Sequence, residues 1–402
     1  MRITWYSNSP LTPTGYGVQT AEVVRRLKAA GHEVAIAANW GVQGAPIEWE
    51  GVPIFPSGHE KYSNDIVLAH HAAWRGDWLM TLYDVWPFIP QNWKGARVAS
   101  WVPIDHEPVP PAVADWCKHV SPIAMSRFGQ KMLANQGIEA DYIPHTVNRD
   151  IYKPTAELKG KPTRKVLGIP DDAFIVMIAA ANQGMDPPRK AWGEMFTAAS
   201  MFMRSHPDAY LYVHTNPTQS TGGLNLHILA NAVGLPMERL FWPDGYAYVS
   251  GRIEQTDLAA LYTASDVLLA TSMGEGFGVT AIEAQACGLP IIVSDFSAQP
   301  ELVGGGWTVA GQPYWDAPHA AFFQTPLIGQ IRKALETAYE RRGDPELRQQ
   351  AMDKAAEYDS DVVFEQHWKP LLAKLEGMLT TTAPEPRNRA ERRLAKRARR
   401  AA

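Results

Sequence analysis

Residues Thr271-Ser272-Met273-Gly274-Glu275-Gly276-Phe277-Gly278-Val279-Thr280-Ala281-Ile282-Glu283-Ala284-Gln285-Ala286-Cys287-Gly288-Leu289-Pro290 decide how the chain is read. The run before them, Val267-Leu268-Leu269-Ala270, is short and β-prone and predicts a strand. The glycines at 274, 276 and 278 then predict a tight turn, and the residues that follow predict a helix stopped by Gly288-Leu289-Pro290. A helix start with bare glycine backbone before it is an anion site, because unpaired N–H groups and the positive end of the helix dipole face the ligand.

Outward from this segment the same alternation of short strands and helical periods recurs, which is the pattern of an α/β protein with parallel sheets. Arg2-Ile3-Thr4-Trp5-Tyr6 predicts a first strand, residues 20–30 a helix ending at Gly31, and Glu33-Val34-Ala35-Ile36-Ala37 the next strand. Further strands are predicted at Ile66-Val67-Leu68-Ala69, at 97–102 and at Pro122-Ile123-Ala124-Met125, before the chain reaches Asp141-Tyr142-Ile143-Pro144 and then a polar linker at 155–165. A second series runs through Phe174-Ile175-Val176-Met177-Ile178, a helix over about 192–205, Tyr210-Leu211-Tyr212-Val213-His214, the strand before Thr271 and Pro290-Ile291-Ile292-Val293. The expected architecture is two Rossmann-like doubly wound domains, 1–160 and 161–358, with a ligand cleft at the carboxyl ends of their strands. Residues 345–379 read as helical, broken near Tyr358-Asp359-Ser360 and Pro370, with Ser360-Asp361 expected to cap a last helix carrying an apolar stripe through Val363, Phe364, Trp368, Leu371, Leu372 and Leu375.

A length of 402 residues with 46% hydrophobic content exceeds what one core organises, which agrees with two domains. Cys117 and Cys287 are the only cysteines and form neither a disulfide framework nor a thiolate metal motif. The N-terminus lacks an apolar signal-peptide core, and the strongest apolar run, 174–181, is far too short to span a bilayer, so a cytoplasmic protein without a transmembrane segment is expected. The net charge of -4 hides an acidic body and a basic tail, 380–402, with eight Lys or Arg against two Glu from Glu385 onward.

Glu275 lies in the predicted loop and Glu283 about two turns inside the helix, a separation of roughly 12 Å at about 1.5 Å per residue. That span suits one carboxylate on sugar hydroxyls and one on a ribose, with a diphosphate between; taken singly, each glutamate fits an unliganded surface position better. The Glu-x7-Glu pattern, in its setting from Glu275 to Pro290, resembles the signature of the family 4 retaining glycosyltransferases of the GT-B fold. Ile143-Pro144-His145-Thr146-Val147-Asn148 with Tyr152-Lys153-Pro154, and the stretch 258–267, resemble further segments of that family, so the resemblance reaches to about Leu379. It implies that Glu275 contacts the donor sugar, that the backbone at Gly276, Phe277, Gly278 and Val279 approaches sugar and phosphate, and that Glu283 binds the ribose. It also implies that the backbone around Gly251-Arg252-Ile253 meets the nucleotide base and that the last helix crosses back to complete the first domain. A phage-type member is the variant the soluble build and basic tail suggest.

A breaking bond to a diphosphate needs cations. Arg189-Lys190 is the candidate pair, since two cations before a helix are disfavoured without an anion nearby. The family usually carries a Gly-Arg just after the preceding strand; here Ala180-Ala181-Asn182 stands there, so Arg189 has to supply that guanidinium. In the first domain, Thr14-Gly15-Tyr16-Gly17 resembles the family's glycine loop, with Gly15 and Gly17 expected on the donor and Tyr16 on the acceptor side. Asp105 and His106 follow a strand facing the same cleft, His106 as a partner of the transferred sugar or of the acceptor's proton and Asp105 on the acceptor side. With no Asp-x-Asp beside the donor loop and no ligand spacing among the histidines, metal-independent catalysis without a cofactor is expected, the nucleoside diphosphate sugar serving as donor substrate.

The resulting expectation is a retaining hexosyltransferase with an unidentified acceptor. The basic tail is either a solvated end or a contact for an acidic surface or nucleic acid. Two other readings remain open: a sugar-nucleotide epimerase of the same fold, and a non-catalytic protein that binds sugar nucleotides or nucleic acid.

Overall fold

The computed structural model describes residues 1–184, 188–219 and 222–381. The basic run after Glu385 lies outside them.

The first half builds an eight-stranded sheet from β1 (Arg2–Ser7), β2 (Glu33–Ala38), β3 (Ile47–Trp49), β4 (Val52–Phe55), β5 (Trp78–Leu82), β6 (Val98–Val102), β7 (Ser121–Ala124) and β8 (Asp141–Tyr142), in the order β3-β4-β2-β1-β5-β6-β7-β8. All neighbours are parallel except the β3–β4 hairpin. A small hairpin, β9 (Glu157–Leu158) with β10 (Lys161–Pro162), occupies the expected linker. The second half is a parallel sheet of β11 (Phe174–Ala179), β12 (Ala209–His214), β13 (Leu240–Phe241), β14 (Val267–Ala270), β15 (Ile291–Ser294) and β16 (Gly306–Val309), in the order β13-β12-β11-β14-β15-β16. Helices cover both faces, so strands such as β11 are buried along their whole length, which is why they read as unbroken apolar runs. An antiparallel hairpin, β17 (Gly311–Asp316) and β18 (Ala321–Pro326), projects from this half.

In both sheets the order reverses beside the first strand, between β1 and β5 and between β11 and β14. The crevice at such a reversal, beyond the carboxyl ends of the strands, is where doubly wound sheets bind ligands. Thr271–Gly278 leaves β14 and Arg189-Lys190 follows β11, so the sequence motifs fall at that reversal.

Several predicted elements differ. Residues 66–69 are not a strand but the start of the helix Val67–Trp74; a four-residue apolar run carries too little periodicity to separate the two, and the unpredicted β5 takes the place beside β1. The first helix spans Gly15–Ala29 instead of starting at Thr20, because the Thr14 side chain caps it by accepting from the Gly17 amide. The last helical region is capped by Asp359, which accepts from the amides of Asp361 and Val362, and not by Ser360. Pro370 causes no break: the turn Phe364–Trp368 before it opens to π form and the helix Lys369–Thr381 continues.

This terminal helix runs back onto the first sheet, where Trp368 is 1% exposed and meets Trp5 at 5.8 Å and Trp101 at 5.1 Å between ring centroids. Trp78 Nε1 donates to the carbonyl of Leu375 and Val147 exchanges backbone hydrogen bonds with Tyr358 and Ser360. Replacing Trp368 with alanine removes the indole at the centre of this cluster, and urea denaturation is expected to show a loss of about 3–5 kcal/mol; a loss below about 1 kcal/mol contradicts the packing role.

Candidate functional site

Two helices start at the reversal in the second sheet. Trp192–Ser205 begins after Ala191 and Val279–Ala286 after Gly278; both N-cap residues are left-handed, at φ 51° and 108°, and neither helix start has a side-chain cap. Their first-turn amides are therefore open to an anion. Because Gly278 delays the helix to Val279, Glu283 sits about one turn inside it and not two.

Between these helix starts lies an ion cluster. Lys190 Nζ donates to Glu275 Oε1 at 2.5 Å, Arg189 Nη1 donates to Glu275 Oε2 at 3.0 Å and to the Gly274 carbonyl at 2.5 Å, and Asp105 Oδ2 stands 3.8 Å from the same guanidinium. The loop is held in place by Met273, whose amide donates to the Arg189 carbonyl, and by Ser297, whose hydroxyl accepts from the Glu275 amide. Burial favours a neutral Glu275, yet Lys190 and Arg189 hold its carboxyl well below the usual range. Burial lowers the pKa of Lys190, with Arg189 adding to the effect and Glu275 opposing it. On Arg189, burial works against the charge, and Glu275 and Asp105 overcome it and raise the pKa. The two cations thus share Glu275, and Arg189 has Asp105 as a second, longer partner.

Glu283 is 6% exposed and accepts from the Tyr262 hydroxyl at 3.2 Å. Burial pushes its carboxyl up to about 7 against the opposing hydrogen bonds of Tyr152 and Tyr262. Phe277 packs edge-on against His145, 5.4 Å between ring centroids. Burial lowers His145 to about 3, so its ring stays neutral.

The first half supplies the opposite wall. A Cβ at Gly274 meets the Asp105 carbonyl at 2.4 Å and one at Gly276 meets Pro103 Cβ at 2.4 Å, so these two glycines are required by the approach of the 103–105 loop. Asp105 Oδ1 accepts from His106 Nδ1 at 2.7 Å. His106 is 4% exposed, and its Nε2 faces Asp316 Oδ2 at 3.0 Å, so both ring nitrogens are engaged by carboxylates and neither points at open space for a sugar hydroxyl or an acceptor proton. Burial disfavours the charged ring, but Asp105 and Asp316 prevail and raise its pKa. Tyr16 packs near Tyr83 and His145, within the electrostatic reach of Asp105 and Arg189.

The other sequence-predicted residues lie differently. Gly15 has open space at its Cβ position, whereas Gly17 is demanded by Thr12, whose carbonyl oxygen is 2.4 Å from that position, a packing reason and not a ligand. Arg252 is exposed and lies over the Tyr246 ring at 4.9 Å; its neighbour Gly251 approaches Pro13 across the crevice. Sequence reasoning missed Asp84, whose carboxyl is pushed up to about 6 by burial and by Asp105, because the strand before it went unrecognised. It also missed Asp316 and His319, although the aromatic runs flanking Asp316-Ala317-Pro318-His319 carried a hairpin signal.

The sequence profile of the family described as Glycosyl transferases group 1 matches residues 247–350. The D-inositol 3-phosphate glycosyltransferase 2 of Catenulispora acidiphila is 30% identical over 166 residues, 40% of this chain and 35% of that protein. The D-inositol 3-phosphate glycosyltransferase of Mycobacterium tuberculosis is 30% identical over 172 residues, 42% of this chain and 32% of that one. The chain thus spans about a third of the length of the curated relatives it matches. Among solved structures, the sucrose-phosphate synthase of Thermosynechococcus elongatus superposes with a TM-score of 0.70 at 18% identity, covering 93% of this chain and 99% of that one. HepE of Anabaena, solved with UDP-glucose, gives 0.67 at 15% identity, covering 93% and 100%. The fold is GT-B.

The carboxyl of Glu283 is expected to titrate near pH 7. Side-chain 13C NMR of the glutamates should show one resonance moving there that is absent from Glu283→Gln; titration of every glutamate below pH 5 contradicts the buried, tyrosine-capped geometry.

Proposed function

We propose that the chain is a retaining glycosyltransferase that moves a hexose from a nucleoside diphosphate sugar to an acceptor hydroxyl, without a metal ion in the chemical step. The observation that carries this reading is the cluster of Lys190, Arg189 and Glu275 between two uncapped helix starts at the reversal of a Rossmann-type sheet. The profile match across the donor loop and the names of the relatives point to the same reaction class.

In this reading the donor's phosphates exchange places with Glu275 as partner of the two cations. The bond between the anomeric carbon and the β-phosphate oxygen breaks, and Lys190, Arg189 and the amides of the Val279–Ala286 helix start stabilise the charge that accumulates on that oxygen. The acceptor oxygen attacks from the same face and its proton passes to the departing phosphate, so configuration is retained and no enzyme nucleophile is needed. Glu275, released from its cations, receives sugar hydroxyls. Glu283 receives the ribose hydroxyls, best when ionised, and Tyr262 keeps its carboxylate aimed. Asp105 and Tyr16 line the acceptor side, and His106 acts as a positioning residue that fixes Asp105. The soluble, phage-type character and the cytoplasmic setting belong to the same proposal; no described helix is long and apolar enough to cross a membrane.

Glu275→Ala is expected to fold normally and to lose transfer, or donor hydrolysis without acceptor, by about 10²–10³-fold in kcat across a panel of nucleoside diphosphate sugars. Wild-type turnover in the folded variant, or binding of the donor with no turnover in either protein, sinks the catalytic reading and favours a binding protein.

A further inference from the structure

The β17–β18 hairpin carries a side-chain constellation that the transfer reaction leaves unused. Its four-residue turn folds His319 back onto Asp316, with His319 Nδ1 2.6 Å from Asp316 Oδ2. The hairpin is pinned from two directions: Phe322 exchanges two backbone hydrogen bonds with Glu107 of the first half, at 3.0 and 2.8 Å, and Gln324 donates to the Met273 carbonyl. That docking brings His106 Nε2 to 3.0 Å from the same Asp316 oxygen, while Phe323 stacks on the His106 ring at 3.7 Å between centroids. One ligand atom from each of His106, Asp316 and His319 thus lies within 4.8 Å of the others.

We propose that His106, Asp316 and His319 form a binding site for a divalent transition-metal ion, of which Zn2+ is the best-suited representative, that joins the hairpin to the loop after β6. Three features of the geometry support it. Two imidazole nitrogens facing one carboxylate oxygen is the arrangement a cation completes, since it replaces the two bridging protons with bonds of about 2.0–2.2 Å. The second oxygen of Asp316, Oδ1, is buried and accepts no hydrogen bond, although the residue is only 2% exposed; a buried carboxylate oxygen left without a donor is costly unless a cation occupies that space. His106 presents its other ring nitrogen, Nδ1, to Asp105, the carboxylate–histidine pairing that orients a metal-bound imidazole and raises its basicity. The His319 side chain, 33% exposed, leaves an entry path and an open coordination position for water. Two imidazoles and one carboxylate suit zinc or a neighbouring first-row ion, whereas magnesium demands oxygen ligands. His106 comes from the first half of the chain and the other two ligands from the second, so the ion fastens the crevice closed. In the sequence the ligands are up to 213 positions apart, which is why no spacing revealed them.

The test uses the full-length chain stripped with a chelator and titrated with Zn2+ against a chromophoric competitor, with Mg2+ as control. One Zn2+ per chain is expected, weakened at least tenfold in His319→Ala and in Asp316→Asn, and about 10–100-fold in Asp105→Asn, which touches no metal itself. Circular dichroism verifies that each variant is folded. Cobalt bound to the wild-type chain should show the intense visible bands of a low-coordinate nitrogen and oxygen site, a readout that needs no variant. Stoichiometric binding unchanged in folded His319→Ala, or a wild-type chain that takes up neither zinc nor cobalt, overturns the proposal. Because metal uptake is read directly, failure here leaves the transferase reading standing, and failure of that reading leaves this one standing.

Discussion

The arrangement of the crevice depends on one carboxylate shared by two cations. Glu275, at the carboxyl edge of β14, draws Lys190 and Arg189 from the end of β11 into a half-buried pocket. Both cations stand before an uncapped helix start, where a positive charge is electrostatically misplaced unless an anion accompanies it. Glu275 supplies that anion, with Asp105 as a second, longer partner of Arg189. In the proposed reaction a diphosphate takes over from Glu275 as the partner of both cations, next to helix amides that no side chain caps. The sheet order explains why the residues meet: β11 and β14 are neighbours on either side of the reversal, although 85 residues separate Lys190 from Glu275.

Around that cluster the two halves of the chain touch through elements that tolerate almost no extra atoms. Gly274 and Gly276 admit the 103–105 loop, and Glu301 closes the opposite end by accepting from the Arg127 and Phe128 amides at the start of the helix Arg127–Ala134. The β17–β18 hairpin adds backbone hydrogen bonds to Glu107. The glycines of the 271–278 loop thus serve two demands at once, a left-handed helix entry at Gly278 and close domain approach at Gly274 and Gly276.

Much of this was legible from local pattern. Strands buried on both faces, such as β11, announced themselves as apolar runs, and the 267–290 segment placed the strand, turn and helix around Glu275. Legibility failed where the deciding contact was distant. Residues 66–69 read as a strand but open a helix, and β5 takes the place beside β1. The requirement for Gly17 came from Thr12 and that for Gly276 from Pro103, neither visible as a spacing. Asp316 and His319 acquire meaning only when the hairpin docks on Glu107 and meets His106.

The central claim is that Lys190 and Arg189 exchange Glu275 for the phosphates of the ligand. Calorimetric titration with a nucleoside diphosphate and its monophosphate, on the wild-type chain and on Lys190→Ala, measures this exchange directly. The wild-type chain is expected to prefer the diphosphate by about 10–100-fold, the worth of a charge-assisted hydrogen bond, and the variant to lose most of that preference while keeping its affinity for the monophosphate. Equal discrimination in both proteins contradicts the account.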